Sequence, residues 1–148
     1  MDVDRSAPAV AAAETAIAAP LETVWDVLTG FERWPGWNPD VTSMSLEGAV
    51  EEGAVFRWKA GRATITSTLR EVDPPRLVGW TGKTTGIEAA HVWRLEPRGE
   101  GTFVRTEESW QGLLVRLLRG RMQKSLQSAV DDGLKHLAAE AERRASLG

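Results

Sequence analysis

The chain has no cysteine, no tyrosine and only two histidines, His91 and His136. Without cysteine there are no disulfides and no thiolate metal ligands. Two histidines so far apart in sequence argue against a structural zinc site, and neither a metal nor another cofactor is expected. No run of about 18 apolar residues occurs, which excludes a helix that spans a membrane. A basic excess is also missing. The net charge is −3, whereas a nucleic-acid binder would usually carry a basic stripe, so no nucleic-acid partner is expected. Arg116, Arg119, Arg121 and Lys124 form a local exception. Such residues commonly line a solvated helix face; an anionic ligand group or an acidic surface is the other use for them. A secretory leader opens on basic residues, and MDVDRSAPAVAAAE opens on acidic ones. A cytoplasmic protein is expected.

Tryptophan is abundant instead, with seven Trp against three Phe. Trp offers a large apolar surface and a single N–H donor. The 148 residues suit one domain over the whole chain, with one sizeable core. Residues 1–8 and 145–148 have no periodic pattern and are predicted to be disordered.

The order of elements follows from periodicity and turn chemistry. Residues 10–19 are ambiguous: alanine favours helix, whereas Pro20 ends one and Thr15 and Ile17 suit an edge strand. Pro20 sits well before a helix whose apolar face is Leu21, Val24, Trp25 and Leu28, closed by Gly30. FERWPGWNPDV (31–41) begins with a short helical turn and is then broken by two prolines. From there the texture has period two. Strands are predicted over 41–47, 54–60, 63–72, 76–82, 87–96 and 102–110, with short Gly- and Pro-bearing breaks between them. Breaks this short imply an antiparallel meander. From Leu113 to Arg144 the period is helical again. Leu114, Leu118, Met122, Leu126, Val130, Leu134, Leu137 and Ala141 make one apolar stripe along roughly 45 Å of helix. Gly120 is the expected place for a kink.

Charge parity shows which strand face points inward. Glu88, Arg94 and Glu96 share one parity, so Ala89, His91, Trp93 and Leu95 take the other. Arg105 and Glu107 should face water, leaving Val104, Thr106, Glu108 and Trp110 inside. By the same logic Phe56, Trp58, Ile65, Ser67, Leu69, Val78 and Trp80 point in. A dry core would prefer Leu, Ile and Val. Large rings mixed with Ser, Thr, His and Glu are the lining of a small-molecule pocket, although each Trp could instead fill the core. Glu108 is hardest to explain as core, because an unpaired carboxylate is rarely buried. A hairpin with loop Arg98–Gly101 pairs residues whose numbers sum to 199. His91 then lies opposite Glu108 and Trp93 opposite Thr106, with Cβ atoms about 4.5–5.5 Å apart. Such a pair could transfer a proton, position a ligand, or only neutralise a buried charge.

APLETVWDVLTGFERWPGWNPDV, REVDPPRLVGW, HVWRLEP and GTFVRTEESWQG, followed by the long C-terminal helix, resemble the START-like helix-grip superfamily. Within it the likeness is to the polyketide cyclase/dehydrase and lipid-transport family. The resemblance runs from about residue 10 to residue 142. It implies an α+β fold in which a curved seven-stranded antiparallel sheet wraps a long C-terminal helix around a deep cavity. It also assigns 10–19 as the first strand and places Trp34 and Trp37 at the end of the cavity or under the long helix. The expected function is binding of a hydrophobic, aromatic or polycyclic small molecule by a monomer or homodimer. The expected lining is Trp37, Phe56, Trp58, Ile65, Leu69, Trp80, Trp93, Thr106, Trp110, Met122 and Leu126. The alternative is a cofactor-independent aromatase/cyclase, dehydratase or isomerase using His91 and Glu108. A protein-docking role has less support, since no exposed hydrophobic strip is identifiable in the sequence.

Overall fold

The computed structural model describes residues 1–148. Seven antiparallel strands form one sheet: β1 (Ala9–Ile17), β2 (Val41–Leu46), β3 (Val55–Ala60), β4 (Ala63–Asp73), β5 (Leu77–Thr84), β6 (Ile87–Arg98) and β7 (Gly101–Gln111). Their order across the sheet is β1-β7-β6-β5-β4-β3-β2, a meander from β2 to β7 that β1 closes by pairing with β7. Helix α1 (Leu21–Thr29) and a 3₁₀ turn (Phe31–Gly36) link β1 to β2. The chain ends in α2 (Leu113–Leu117) and α3 (Arg119–Leu147).

The stripe on α3 buries Leu126, Val130, Leu134, Leu137 and Ala141 against the concave face of the sheet. This face of β1 is built from small residues, with Ala9 and Ala11 buried and Ala13 partly buried, so the helix can lie close to it. An edge strand leaves backbone groups unpaired, and α3 supplies partners for them. The Gln123 side chain accepts from Val10 N at 3.0 Å and donates to Val10 O at 2.8 Å, while Gln127 donates to Ala12 O at 3.1 Å. A second apolar layer joins Ile17, Val24, Leu28, Phe31, Val104, Leu134 and Leu137 under α1.

The 199 register is the one observed: His91 faces Glu108 and Trp93 faces Thr106. Three expectations change. The helix breaks at Leu118 (φ −122°, ψ 41°) and not at Gly120, so Leu114 and Leu118 leave the stripe of α3. Gly30 does end α1, but at φ −77° and not in the left-handed region. The two termini are ordered against the fold. Residues 1–8 cross the convex face of the sheet. The Met1 amino group meets Glu71, Arg94 donates to Met1 O at 2.9 Å, and Asp4 N donates to Ser109 at 3.0 Å. Ala145 packs against the core at the other end.

That N-terminal segment explains a fourth difference. Glu107 was expected in water, yet it is only 6% exposed beside buried Val3 and Val92. Arg5 donates to its carboxylate at 2.8 Å and holds the Glu107 carboxyl below the usual carboxylate range. We expect Arg5→Ala to destabilise the fold only slightly at neutral pH, because Arg5 is itself largely exposed. A carboxyl with a lowered folded pKa contributes stability above its unfolded value near 4.5 and loses it as the pH falls below that. The difference between wild type and variant should therefore close in acid. Urea unfolding at neutral and acid pH checks this, and a pH-independent difference would refute the pairing.

Candidate functional site

Between the concave face of the sheet and α3 lies a cavity of about 270 Å³. Its existence follows from where the side chains are small. Gly82, Ser67 and Ala89 line it on the sheet side, and Ala129 and Gly133 on α3. A Cβ at Gly82 would stand 2.8 Å from Ser67 Oγ and 3.4 Å from Ile65 Cγ2. Rigid rings form the rest of the wall. Six of the seven tryptophans line the cavity (Trp34, Trp37, Trp58, Trp80, Trp93 and Trp110), and only Trp25 lies elsewhere, in the core. The rings touch in sequence. Trp37 lies 6.0 Å from Trp34, Trp34 lies 5.9 Å from Trp58 and 5.7 Å from Trp80, and His91 stands 5.0 Å from Trp80 and 5.2 Å from Trp93. Asp40, Lys83, Thr84 and Ile87 also line it.

The broken stretch FERWPGWNPDV is a plug at this end of the trough. Phe31 packs on Phe56 at 4.7 Å, and Trp34 donates its N–H to Leu28 O at 2.9 Å, which anchors the 3₁₀ turn to α1. With Trp34 held there, one face of the segment is core and the Trp37 side belongs to the cavity.

Not every expected lining residue reaches the cavity. Trp37, Trp58, Ile65, Trp80, Trp93, Trp110, His91 and Glu108 do. Phe56 and Leu69 are fully buried in the core beneath α1 and the 3₁₀ turn, Thr106 is sealed within the sheet, and Leu126 and Met122 pack with Val115 beside β1. Strand parity fixes the face of a residue but not its position along the trough, and α1 fills one part of that trough. Trp34 lines the cavity end, one of the two places the resemblance allows it, whereas Asn38, Gly82, Ala129 and Gly133 are outside the expected lining. Gly82 shares its parity with Trp80 and was accessible to the same reasoning. Ala129 and Gly133 lie beside the stripe of large apolar residues, which is all that helical periodicity picks out.

The polar groups follow a distinct pattern. Trp58 donates to Ser67 Oγ at 3.1 Å and Trp110 to Glu108 Oε2 at 2.9 Å. The indole N–H groups of Trp37 and Trp93 are buried with no partner in the protein. Such donors are rare, because burying one unpaired costs about 1–3 kcal/mol. Glu108 Oε1 is 3.3 Å from His91 Nδ1, and His91 Nε2 is 2.8 Å from Thr106 Oγ1, itself 3.2 Å from Val92 O. Burial pushes the His91 imidazole down from its ordinary value of 6.5, with the Glu108 charge pulling the other way. A neutral imidazole has one N–H. Placed on Nδ1, it donates to Glu108 while Nε2 accepts from Thr106. Placed on Nε2, it donates to Thr106, whose own hydroxyl donates to Val92 O, and a protonated Glu108 would have to donate to Nδ1. An ionised Glu108 selects the first arrangement. The line Glu108–His91–Thr106 resembles a nucleophilic triad in order only. Thr106 is 0% exposed and off the cavity, so its hydroxyl cannot reach a ligand. Glu108 and His91 both border the cavity.

A twisted antiparallel sheet gripping a long helix over a ring-lined cavity defines the START-like helix-grip class. The model of the family described as polyketide cyclase / dehydrase and lipid transport matches residues 8–142, and the chain belongs to that family. Solved structures agree on the fold. The Zhui aromatase/cyclase from a Streptomyces species superposes with a TM-score of 0.81 at 18% identity, covering 91% of this chain and 94% of that one. A hypothetical protein of Helicobacter pylori gives 0.80 at 14% identity, covering 93% and 90%. A START superfamily protein of Mycobacterium smegmatis gives 0.67 at 16% identity, covering 93% and 97%. No helix is long and apolar enough to cross a membrane.

His91 should titrate below 6.5 in imidazole NMR spectra, and lower still in Glu108→Gln, where the charge that favours its cation is gone. A histidine with a depressed folded pKa withdraws stability as the pH falls below 6.5, because the unfolded chain binds the proton more readily. An ordinary His91 titration, unmoved by the Glu108 substitution, would contradict this geometry.

Proposed function

We propose that the protein binds a flat, largely aromatic small molecule bearing oxygen acceptors, held in the cavity between the sheet and α3. The observation that carries the reading is the pair of unpartnered indole N–H groups, Trp37 and Trp93, in a cavity lined by further indole rings. Ring faces favour stacked or edge-on aromatic ligands. The orphan donors call for carbonyl or ether oxygens, and Glu108 accepts from a ligand hydroxyl. Belonging to the polyketide cyclase / dehydrase and lipid transport family supports the same class of ligand.

The tryptophans report on their own occupant. Titration with polycyclic aromatic ketones and phenols should change Trp emission strongly, and fatty acids should do so less. Ala89 lines the cavity and is only partly buried. Ala89→Phe therefore projects a ring into the hollow and should abolish the response while the protein stays folded. Trp93→Phe removes one orphan donor. It should cost less than about 1.5 kcal/mol of stability yet weaken an oxygenated ligand about fivefold, the worth of one hydrogen bond. No emission change with any of the compounds would end the reading.

A second reading has its own observation, the Glu108–His91 pair facing into the cavity. A carboxylate could remove the acidic proton between two ligand carbonyls while an indole N–H steadies the enolate oxygen. That is general base and electrostatic catalysis without a cofactor, of the kind an aromatase/cyclase requires. Glu108→Gln keeps shape and hydrogen bonding but removes the base. Turnover of a poly-β-ketone should then fall by about 10²-fold or more, with affinity changed less than about tenfold. Equal losses of turnover and affinity would leave binding as the only role.

A further inference from the structure

One surface of the molecule does not suit water. Leu113 and Leu117 are each 71% exposed, and Leu118 beside them is 39% exposed. No exposed apolar strip is legible in the sequence, and the break at Leu118 creates one by turning α2 away from α3. Helix α2 docks through Val115, which is buried with Leu126 and Val130 near Ile87 and Trp110. Leu113 and Leu117, four residues apart, share the opposite face. Packing has no use for them.

Charge marks the same place. Arg116, Arg119, Arg121 and Lys124 are all exposed, and none of them takes part in the ion pairs that Arg57, Arg105, Arg143 and Arg144 make elsewhere. No Asp or Glu occurs between Glu108 and Asp131, in a chain whose net charge is −3. The tip is also fixed in relation to the cavity. Gly112 adopts φ +127°, and a Cβ there would lie 2.4 Å from Gly86 O, while a Cβ on Gly86 would lie 2.7 Å from Leu114 Cβ. The start of α2 is thus locked onto the β5–β6 turn, whose Lys83, Thr84 and Ile87 line the cavity.

We infer that this tip docks on the surface of an anionic lipid bilayer, with Leu113, Leu117 and Leu118 at the acyl boundary and the four cations among the headgroup phosphates. Exposed apolar side chains flanked by basic ones are what an interfacial site requires. A second copy of the chain fits less well, since a two-fold pairing of the leucines would bring both sets of cations together with no acid between them. A folded acidic partner would have to offer a groove shaped to a protruding five-residue helix, whereas a bilayer deforms around it. Docking would set the neighbouring turn, and with it that part of the cavity wall, against the membrane. The inference rests on surface residues alone and holds whatever the cavity binds.

The test is sedimentation of the full chain with vesicles of phosphatidylcholine alone or mixed in equal parts with phosphatidylglycerol. Wild type should partition about tenfold or more in favour of the mixed vesicles and be released by salt, because headgroup attraction is screened. The double variant Leu113→Ser/Leu117→Ser should lose at least about fivefold while circular dichroism and Tm stay unchanged, both side chains being already in water. Arg119→Glu/Arg121→Glu/Lys124→Glu should abolish binding. Failure of wild type to bind the mixed vesicles, equal binding to both kinds, or indifference to the leucine pair would each overturn the inference. So would a leucine-dependent dimer in sedimentation velocity, which would make a second copy the occupant. Trp emission changes on adding an aromatic probe should survive the leucine substitutions, so the cavity reading and the docking reading fail separately.

Discussion

Everything in this structure depends on seating one long helix in a twisted antiparallel sheet. The stripe from Leu126 to Ala141 has nowhere to go but the concave face, and a single stripe cannot fill a trough wider than itself. The fold meets this with two fillers. Helix α1 and the 3₁₀ turn occupy one stretch, where Phe31, Phe56 and Leu69 are fully buried. Over the next stretch α3 presents Ala129 and Gly133 and the sheet presents Gly82, Ser67 and Ala89, so a hollow remains. The hollow is thus a consequence of side-chain volume. Close packing elsewhere, to the usual density of protein interiors, is what keeps its walls from collapsing inward.

The chemistry of that hollow is set by unequal satisfaction of its polar groups. Trp34, Trp58 and Trp110 give their N–H groups to protein acceptors; Trp37 and Trp93 do not. The Glu108 carboxylate is held by Trp110 on one oxygen and faces His91 with the other, and Thr106 hydrogen-bonds the far side of the imidazole. The pair is therefore oriented before anything arrives. An interior charge with satisfied neighbours is tolerable, whereas two orphan donors are a standing penalty that an oxygenated guest would relieve.

Both faces of the sheet carry such devices. On the convex side, residues 1–8 bury Val3 and Val92 and pair Arg5 with Glu107, so one side of β6 and β7 is shut from water by a strap and the other by α3. At the edge, Gln123 and Gln127 finish the hydrogen bonding of β1, which both fastens the helix and blunts a strand that could otherwise recruit another chain.

The sequence by itself determined the order of the elements, the inward faces of the strands and the His91–Glu108 opposition. Each of these depends on local periodicity or on a short hairpin loop: charge alternation assigned the faces, and the four-residue loop after Pro97 set the register. Only the tertiary structure decided which inward residues border empty space. Phe56 and Trp58 are two apart on one strand with the same parity, yet one is core and the other wall, because α1 and Phe31 cover the first and not the second. Likewise the place of Glu107 was settled by a segment about a hundred residues away, Arg5, and the exposure of Leu117 by a backbone turn at Leu118 that no side-chain pattern announces. Periodicity is a property of neighbours in sequence. Cavities, straps and exposed tips come from what packs across the fold, and that depends on volumes summed over segments distant in the chain.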